Sequence, residues 1–148
     1  MSNQEIAQAM RDHHAIMVRQ LEDLARKIGT DELAWESARD ETVTYLVAEV
    51  LPHAAAEEST VYQDGAKLEN LSKLIESMQF EHTVIRALTD ELRESHTQIQ
   101  ALTVAVQAAK LFEVHAEKEN RYIIATLELR NDVDLRVILG DMRKLLIH

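Results

Sequence analysis

Four long stretches of the sequence carry apolar residues at alternating spacings of three and four, and this periodicity limits the fold more than any other feature. An α-helix makes one turn in about 3.6 residues, so this spacing collects the apolar side chains on one face. The stretches cover about residues 3–28, 32–62, 67–94 and 98–129, with short connections between them. The sequence therefore predicts an all-α protein folded as an up-down-up-down antiparallel four-helix bundle.

A fifth, shorter amphipathic segment follows the bundle, over about residues 131–147. Its apolar residues are numerous enough to pack across the bundle or against another subunit: Leu135, Ile138, Leu139, Met142, Leu145 and Leu146. The 148 residues have the size of one ordinary domain and contain no linker or sustained internal repeat. We therefore expect one domain over residues 1–148, with the bundle at about 3–130 and a short extra C-terminal helix.

The composition excludes several classes of function. The net charge of −10 disfavours a nucleic-acid partner, because phosphate binding needs clustered Lys and Arg. No apolar run is long enough to cross a bilayer, and the N-terminal residues MSNQEIAQAM lack the basic and apolar regions of a secretory signal. We therefore expect a cytoplasmic protein with no membrane partner. Because the chain has no Cys, any metal ion must be held by nitrogen and oxygen donors.

Each predicted helix of the bundle places one His on its apolar face, and two of these His are followed by Glu four residues later: His14, His53 with Glu57, His82, and His115 with Glu119. Residues four apart on a helix are separated by about 6 Å along the axis and lie on nearly the same face. Four imidazoles and two carboxylates that converge in a bundle core can hold two metal ions. Pro52, inside the second stretch, predicts a kink immediately before His53 because proline removes an amide donor.

The alternative is that these side chains are ordinary core residues. A single His on an apolar face is more often hydrogen-bonded to a neighbour than bound to a metal ion. Two inward Glu beside two inward His are harder to explain in that way, because an unpaired buried carboxylate is costly enough to lose its charge. The six residues together therefore favour a metal site over a set of hydrogen-bonded core histidines.

The ordered pattern resembles the hemerythrin-like (HHE cation-binding) family over about residues 10–130, through the segments DHHAIM, PHAAAEESTVY, FEHTVI and FEVHAEKENRY. Members of that family are four-helix bundles that hold an oxo- or hydroxo-bridged pair of irons. Their activities include O2 binding, oxygen or iron sensing, repair of nitrosative damage and peroxide decomposition. The resemblance implies one iron on His14 and His53 and the other on His82 and His115, with Glu57 and Glu119 bridging.

One departure from the pattern bears on function. Oxygen-carrying hemerythrins place two ligand His one turn apart on the third helix, whereas the positions one turn either side of His82 are Met78 and Arg86. One terminal imidazole is therefore missing. We expect the iron on this helix to have a second open position or a substitute ligand.

The substitute expected first is Tyr122, because it lies one turn beyond Glu119 on the same predicted face. The alternative role for Tyr122 is a core aromatic residue with a hydrogen-bonded hydroxyl, and the sequence does not choose between the two. Tyr45 and Tyr62 are weaker candidates for the same position.

Other polar residues flank this set. Glu49 lies one turn before His53 and either accepts the second ring hydrogen of that imidazole or faces solvent. Glu58 is expected to face water or an arginine. The remaining His are placed outside the site: His13, His96 and His148.

Nitrogen and carboxylate donors without thiolate favour iron or manganese over structural zinc. A site that lacks one imidazole and gains a phenolate should favour the diferric state and bind O2 less tightly. We therefore expect catalase-like decomposition of hydrogen peroxide on two iron ions, with no organic cofactor. One alternative is a module that binds or senses O2, nitric oxide or iron without turnover, and another is a helical interaction protein. The oligomeric state is expected to be a monomer or a homodimer.

Overall fold

The computed structural model of the protein describes residues 1–146, which are helical apart from short connections and contain no β-strand. The α-helices are α1 (Asn3–Ile28), α2 (Trp35–Tyr45), α3 (Leu51–Ser59), α4 (Val61–Ala66), α5 (Ser72–Arg93), α6 (Gln98–Lys118), α7 (Ala125–Glu128) and α8 (Leu135–Leu146). Two π-helical turns, Leu46–Val50 and Glu119–Ile124, continue α2 into α3 and α6 into α7. The expected all-α bundle with an extra C-terminal helix is confirmed. His148 lies outside the described residues.

Four members form the bundle: α1, α2 with α3, α5, and α6 with α7. α1 packs against α2 and α6, while α5 packs against α6 and against α2 and α3. The start of α1 is fixed by Ser2, whose hydroxyl accepts the Glu5 N–H while the Glu5 carboxylate accepts the Ser2 N–H. Within residues 1–146, none of the helices combines the length and the apolar character needed to span a bilayer.

Two apolar clusters fill the bundle on either side of a layer of polar side chains. On α1, His14 lies between Met10 of one cluster and Met17 of the other. The inward His of α3, α5 and α6 are flanked by the two clusters in the same way. Because the residues of both clusters are buried, water has little access to the polar layer along the bundle axis.

The second member of the bundle is less regular than the sequence predicted. The π turn Leu46–Val50 directly precedes Pro52, which has no amide hydrogen and whose ring would crowd an α-helical carbonyl four residues earlier. A π turn uses more residues than an α turn, so the buried face moves by one position. The helix then breaks at Thr60, where φ is −130° and ψ is −84°, instead of continuing to Tyr62.

The C-terminal helix α8 packs across its own bundle, against α1 and α3. Leu135, Ile138 and Met142 are buried in the same apolar cluster as Met10. Asn3 secures the start of α8, because its side-chain amide accepts the Leu135 N–H at 3.0 Å and donates to the Val133 carbonyl at 2.7 Å. This helix therefore lies over α1 and α3 on one side of the bundle.

Candidate metal centre

Four buried imidazoles meet in the polar layer, one from each member of the bundle: His14 of α1, His53 of α3, His82 of α5 and His115 of α6. The Nε2 atoms of His14 and His53 lie 3.3 Å apart, and those of His82 and His115 lie 2.9 Å apart. The cluster therefore contains two imidazole pairs, the His14/His53 pair and the His82/His115 pair.

The Glu57 carboxylate lies between these pairs. Its Oε2 is 3.5 Å from Nε2 of His14 and 3.5 Å from Nε2 of His53, and its Oε1 is 4.0 Å from Nε2 of His82. Two sets of three donor atoms therefore share this residue, one with the His14/His53 pair and one with the His82/His115 pair. A carboxylate in this position can bridge two metal ions.

Glu119, at the start of the second π turn, adds a second buried carboxylate. Its Oε1 lies 3.2 Å from His115 Nε2, and a hydrogen bond joins it to Glu57. The six residues that the sequence singled out are thus gathered in one buried cluster. Their side chains are at most 8% exposed.

The tyrosine at this cluster is Tyr62, which the sequence had favoured less than Tyr122. Its hydroxyl donates to Glu119 Oε2 at 3.1 Å and lies 3.1 Å from His115 Nε2 and 3.4 Å from His82 Nε2. The ring stacks on His82 with a centroid distance of 5.5 Å. Tyr62 therefore presents an oxygen to both members of the His82/His115 pair.

Tyr122 is placed differently, because 46% of its surface is exposed. The cause is the π turn that begins at Glu119. A residue three positions after Glu119 turns away from the inward face there, and Ile123 and Ile124 are buried instead. The break at Thr60 has the opposite effect, because it brings Tyr62 inward.

Three of the four imidazoles form a hydrogen bond through Nδ1, the ring nitrogen that faces away from the cluster. His82 Nδ1–H donates to Glu58 at 2.8 Å, and His115 Nδ1–H donates to Glu81 at 3.0 Å. His14 Nδ1–H donates to the amide oxygen of Asn120 at 2.7 Å. Such bonds fix the tautomer that leaves Nε2 free to bind a metal ion.

Two of these partners, Glu81 and Asn120, were not predicted from the sequence. Glu58 is partly exposed, as expected, but its carboxylate also binds His82, which was not expected. Each partner adjoins an inward-facing residue in sequence, as Asn120 adjoins Glu119, yet each bonds an imidazole on a different helix. That adjacency was the available signal, but the choice of imidazole depends on how the helices are packed.

His53 is the exception, because its buried Nδ1 has no hydrogen-bond partner among the described residues. Glu49, the partner considered from the sequence, is exposed after the shift produced by the first π turn. The ring of His13 approaches instead, with its centroid 5.3 Å from that of His53. His13 is exposed, as the sequence predicted, and His96 is exposed as well.

The family model of the Hemerythrin HHE cation binding domain matches residues 5–127, most of the chain. The chain belongs to the hemerythrin family. The match includes all six His and Glu residues of the cluster and Tyr62, and it ends before α8. No curated protein and no solved structure matches the chain significantly.

The two carboxylates of this hemerythrin domain interact strongly. Burial, the charge of Glu57 and a hydrogen bond with Glu57 raise the pKa of Glu119 to about 7. Burial would also raise the pKa of Glu57, but the charge of His53 and the hydrogen bond with Glu119 hold it well below its ordinary value. Without a metal ion and below about pH 7, Glu119 therefore carries a proton and donates it in its hydrogen bond to Glu57.

The pKa values of three of the imidazoles are also shifted in the metal-free state. Burial would lower the pKa of His14, but its hydrogen bond with Glu57 and the charge of Glu119 raise it to about 9. Burial would lower the pKa of His115 as well, but Glu119 raises it, whereas burial and the charge of His115 lower that of His82. Burial and the charge of Glu119 raise the pKa of Tyr62, so its hydroxyl stays protonated.

These donors fit a pair of metal ions. The Nδ1–H groups of His82 and His115 both donate to carboxylates, so their neutral forms would direct two Nε2 lone pairs at each other across 2.9 Å. Such an arrangement needs a proton or a cation at the Nε2 atoms. Donors that bind one ion at about 2.1 Å lie roughly 3 Å apart when the bond angles are near 90°. The separations of 3.3–3.5 Å around Glu57 Oε2 are close to that value.

Proposed function

We propose that this hemerythrin domain binds two iron ions and decomposes hydrogen peroxide in a catalase-like reaction. One ion would be held by His14, His53 and Glu57, and the other by His82 and His115. Glu57 and Glu119 would bridge the two, and Tyr62 would add an oxygen donor to the second ion. The nitrogen and oxygen donor set without Cys supports this choice of metal, although manganese has similar preferences.

The observation that carries the proposal is the position of Tyr62. Oxygen-carrying hemerythrins use a further imidazole from the third helix, but the two positions one turn from His82 are a buried Met78 and an exposed Arg86. The Tyr62 hydroxyl is within 3.4 Å of both Nε2 atoms of the His82/His115 pair. As a phenolate it would favour the oxidised state of a bound ion more than a neutral imidazole does, which supports turnover over reversible O2 carriage.

Two iron ions, when bound, would supply the two-electron change that converts two molecules of hydrogen peroxide into two of water and one of O2. The chain contributes orientation and exclusion of water. Glu58 and Glu81 hold the Nδ1 protons of His82 and His115, and the hydrogen bond to Glu119 positions the Tyr62 oxygen. The two apolar clusters close the layer above and below.

The test measures iron content, the visible spectrum and oxygen evolution from hydrogen peroxide on the same iron-loaded sample. We expect two irons per chain, a visible phenolate charge-transfer band and steady release of O2. Tyr62→Phe should remove the band, whereas Tyr122→Phe, a matched change at an exposed tyrosine, should keep it. Two bound irons without oxygen evolution would rule the proposal out.

The same sample distinguishes the alternative, in which the domain binds or senses O2, nitric oxide or iron without turnover. That alternative predicts a reversible spectral change on adding O2 or nitric oxide to the reduced protein and no consumption of peroxide. The helix α8 gives this alternative little support as a surface for a partner protein, because its buried residues pack against their own bundle.

A further inference from the structure

A cavity of about 540 Å³ adjoins the His14/His53 pair on the side covered by α8. His14, His53 and Glu57 form its polar floor, and Asp12, His13 and Arg143 are its other polar residues. The remaining lining is apolar: Ala9, Met10, Ile16, Val61, Ile124, Leu139, Met142 and Leu146. The donors of one half of the cluster are thus connected to a space with apolar walls.

One wall of this cavity comes from outside the matched family domain. Leu139, Met142, Arg143 and Leu146 belong to α8, whereas the family match ends at residue 127. Met142 is packed in the core, and Leu139 and Leu146 are partly buried. This wall of the cavity therefore lies outside the residues that the family model matches.

Its size and lining do not suit hydrogen peroxide alone. Organic ligands occupy pockets of about 300–1,000 Å³ that are mainly apolar with a few polar groups, whereas a single water takes up only about 30 Å³ in the liquid. Burial of an organic group against the apolar walls would be favourable, because it removes apolar surface from water. A ligand that fits must combine an apolar body with a small polar end directed at the floor.

We propose that the cavity binds the organic group of an alkyl hydroperoxide and directs its –OOH end to the His14/His53 side of the cluster. This inference rests on the proposed function. The reaction is ROOH + H2O2 → ROH + H2O + O2. The O–O bond of the alkyl hydroperoxide is reduced and broken, hydrogen peroxide supplies two electrons and two protons, and O2 leaves.

Binding is tested first, independently of turnover, with cumyl alcohol, the unreactive product of cumene hydroperoxide. Titration calorimetry of the metal-loaded protein should show saturable binding at one site. Leu139→Trp should weaken it by about tenfold or more, because the indole fills the space that the ligand would contact. Leu146→Trp tests the same wall in case the first variant does not fold. Val137→Trp, on the exposed side of α8, is the matched control and should bind normally.

The second measurement compares consumption of cumene hydroperoxide in the presence of hydrogen peroxide. Cumyl alcohol binding that is lost in the Leu139 variant, together with hydrogen-peroxide-dependent consumption of cumene hydroperoxide, supports the inference. Decomposition of hydrogen peroxide without any binding of cumyl alcohol overturns the inference and leaves the proposed function standing. Binding that neither α8 variant weakens places the ligand elsewhere and also overturns the inference. Binding without consumption of either peroxide overturns the proposed function and, with it, the assignment to hydroperoxides.

Discussion

The two imidazole pairs of the cluster differ in how firmly they are held. In the His82/His115 pair both Nδ1 atoms donate to carboxylates, and the Tyr62 hydroxyl contacts both Nε2 atoms. In the His14/His53 pair the Nδ1 of His14 donates to the neutral amide of Asn120, and the Nδ1 of His53 has no partner within residues 1–146. Only the second of these pairs adjoins the cavity beneath α8.

This difference separates two tasks within one polar layer. Carboxylates behind an imidazole raise its basicity as a ligand and limit its rotation. The His82/His115 pair is therefore built to retain an ion in one geometry. The His14/His53 pair has weaker support and a neighbouring space, which suits it to the exchange of external ligands. The following changes test that division, beginning with the largest expected effect.

Glu57→Ala should have the largest effect, because Glu57 belongs to both sets of donor atoms found among the described residues. We expect binding of both ions to weaken by more than about 100-fold, beyond the loss typical of a change behind a ligand. Metal content after gel filtration measures this directly, with Glu49→Ala as a control at an exposed glutamate on the same member of the bundle. Retention of two ions by Glu57→Ala would show that the two pairs do not depend on a shared carboxylate.

Glu81→Ala should affect one pair only. It removes the acceptor for His115 Nδ1–H and leaves Lys118, which lies 2.9 Å from Glu81, without that partner. Loss of a carboxylate behind a metal-bound imidazole typically costs about 10–100-fold in affinity. Asn120→Ala, the matching change behind His14, should cost less because the amide is uncharged. Competitive chelator titrations of both variants give the comparison, and equal losses would contradict the division of tasks.

The sequence was sufficient to predict the bundle and the inward position of the six His and Glu residues, because both depend on a helical period that is visible locally. His14 lies between Met10 and Met17 on α1, and His82 lies between Met78 and Ile85 on α5, so the local sequence alone places both on a buried face. The tyrosine was not predictable in this way. Its identity depends on a π turn at Glu119 and a helix break at Thr60, and each shifts the register by less than one turn. Such irregularities arise from tertiary packing and leave no clear period in the sequence.

Glu81 and Asn120 show the same limit for a different reason. Both lie beside inward-facing residues, at the edge of the buried face. At such positions the helical period does not predict whether a side chain faces solvent or the metal centre. Their roles follow from contacts across helices, such as that of Glu81 on α5 with His115 on α6. The cavity beneath α8 could not be predicted either, because the sequence allowed α8 to pack on its own bundle or on another subunit.

The pH dependence of metal binding should also distinguish the pairs, by at most about tenfold per pH unit for each proton displaced. In the metal-free protein the pKa of His14 is raised to about 9 and that of Glu119 to about 7. The pKa of His115 is also raised, whereas that of His82 is lowered. Binding must remove these protons, so affinity should rise with pH up to about 9, with the largest contribution from His14 of the His14/His53 pair. Calorimetry in buffers of different ionisation enthalpy counts the protons released.

The same shifts determine the stability of the metal-free protein. A group whose pKa is raised by folding stabilises the folded state below its ordinary pKa, and this contribution is lost as pH rises through the folded value. For His14 the loss runs from about 6.5 to about 9. The melting temperature of the metal-free protein should therefore fall across this interval, while that of the metal-loaded protein should not. A metal-free melting temperature that does not change would contradict the protonation assigned to His14.

Tyr62→Phe should have the smallest effect, and it isolates the support that the hydroxyl gives the His82/His115 pair. The variant keeps the ring, which stacks on His82, and removes only the group that donates to Glu119. A buried hydrogen bond of this kind contributes about 0.5–1.5 kcal/mol, so the metal-free variant should unfold at a slightly lower denaturant concentration. Tyr122→Phe, at an exposed ring, should leave the midpoint unchanged. An equal response from the two variants would show that Tyr62 supports the pair through its ring alone, and the difference in firmness between the pairs would then rest on the carboxylates behind them.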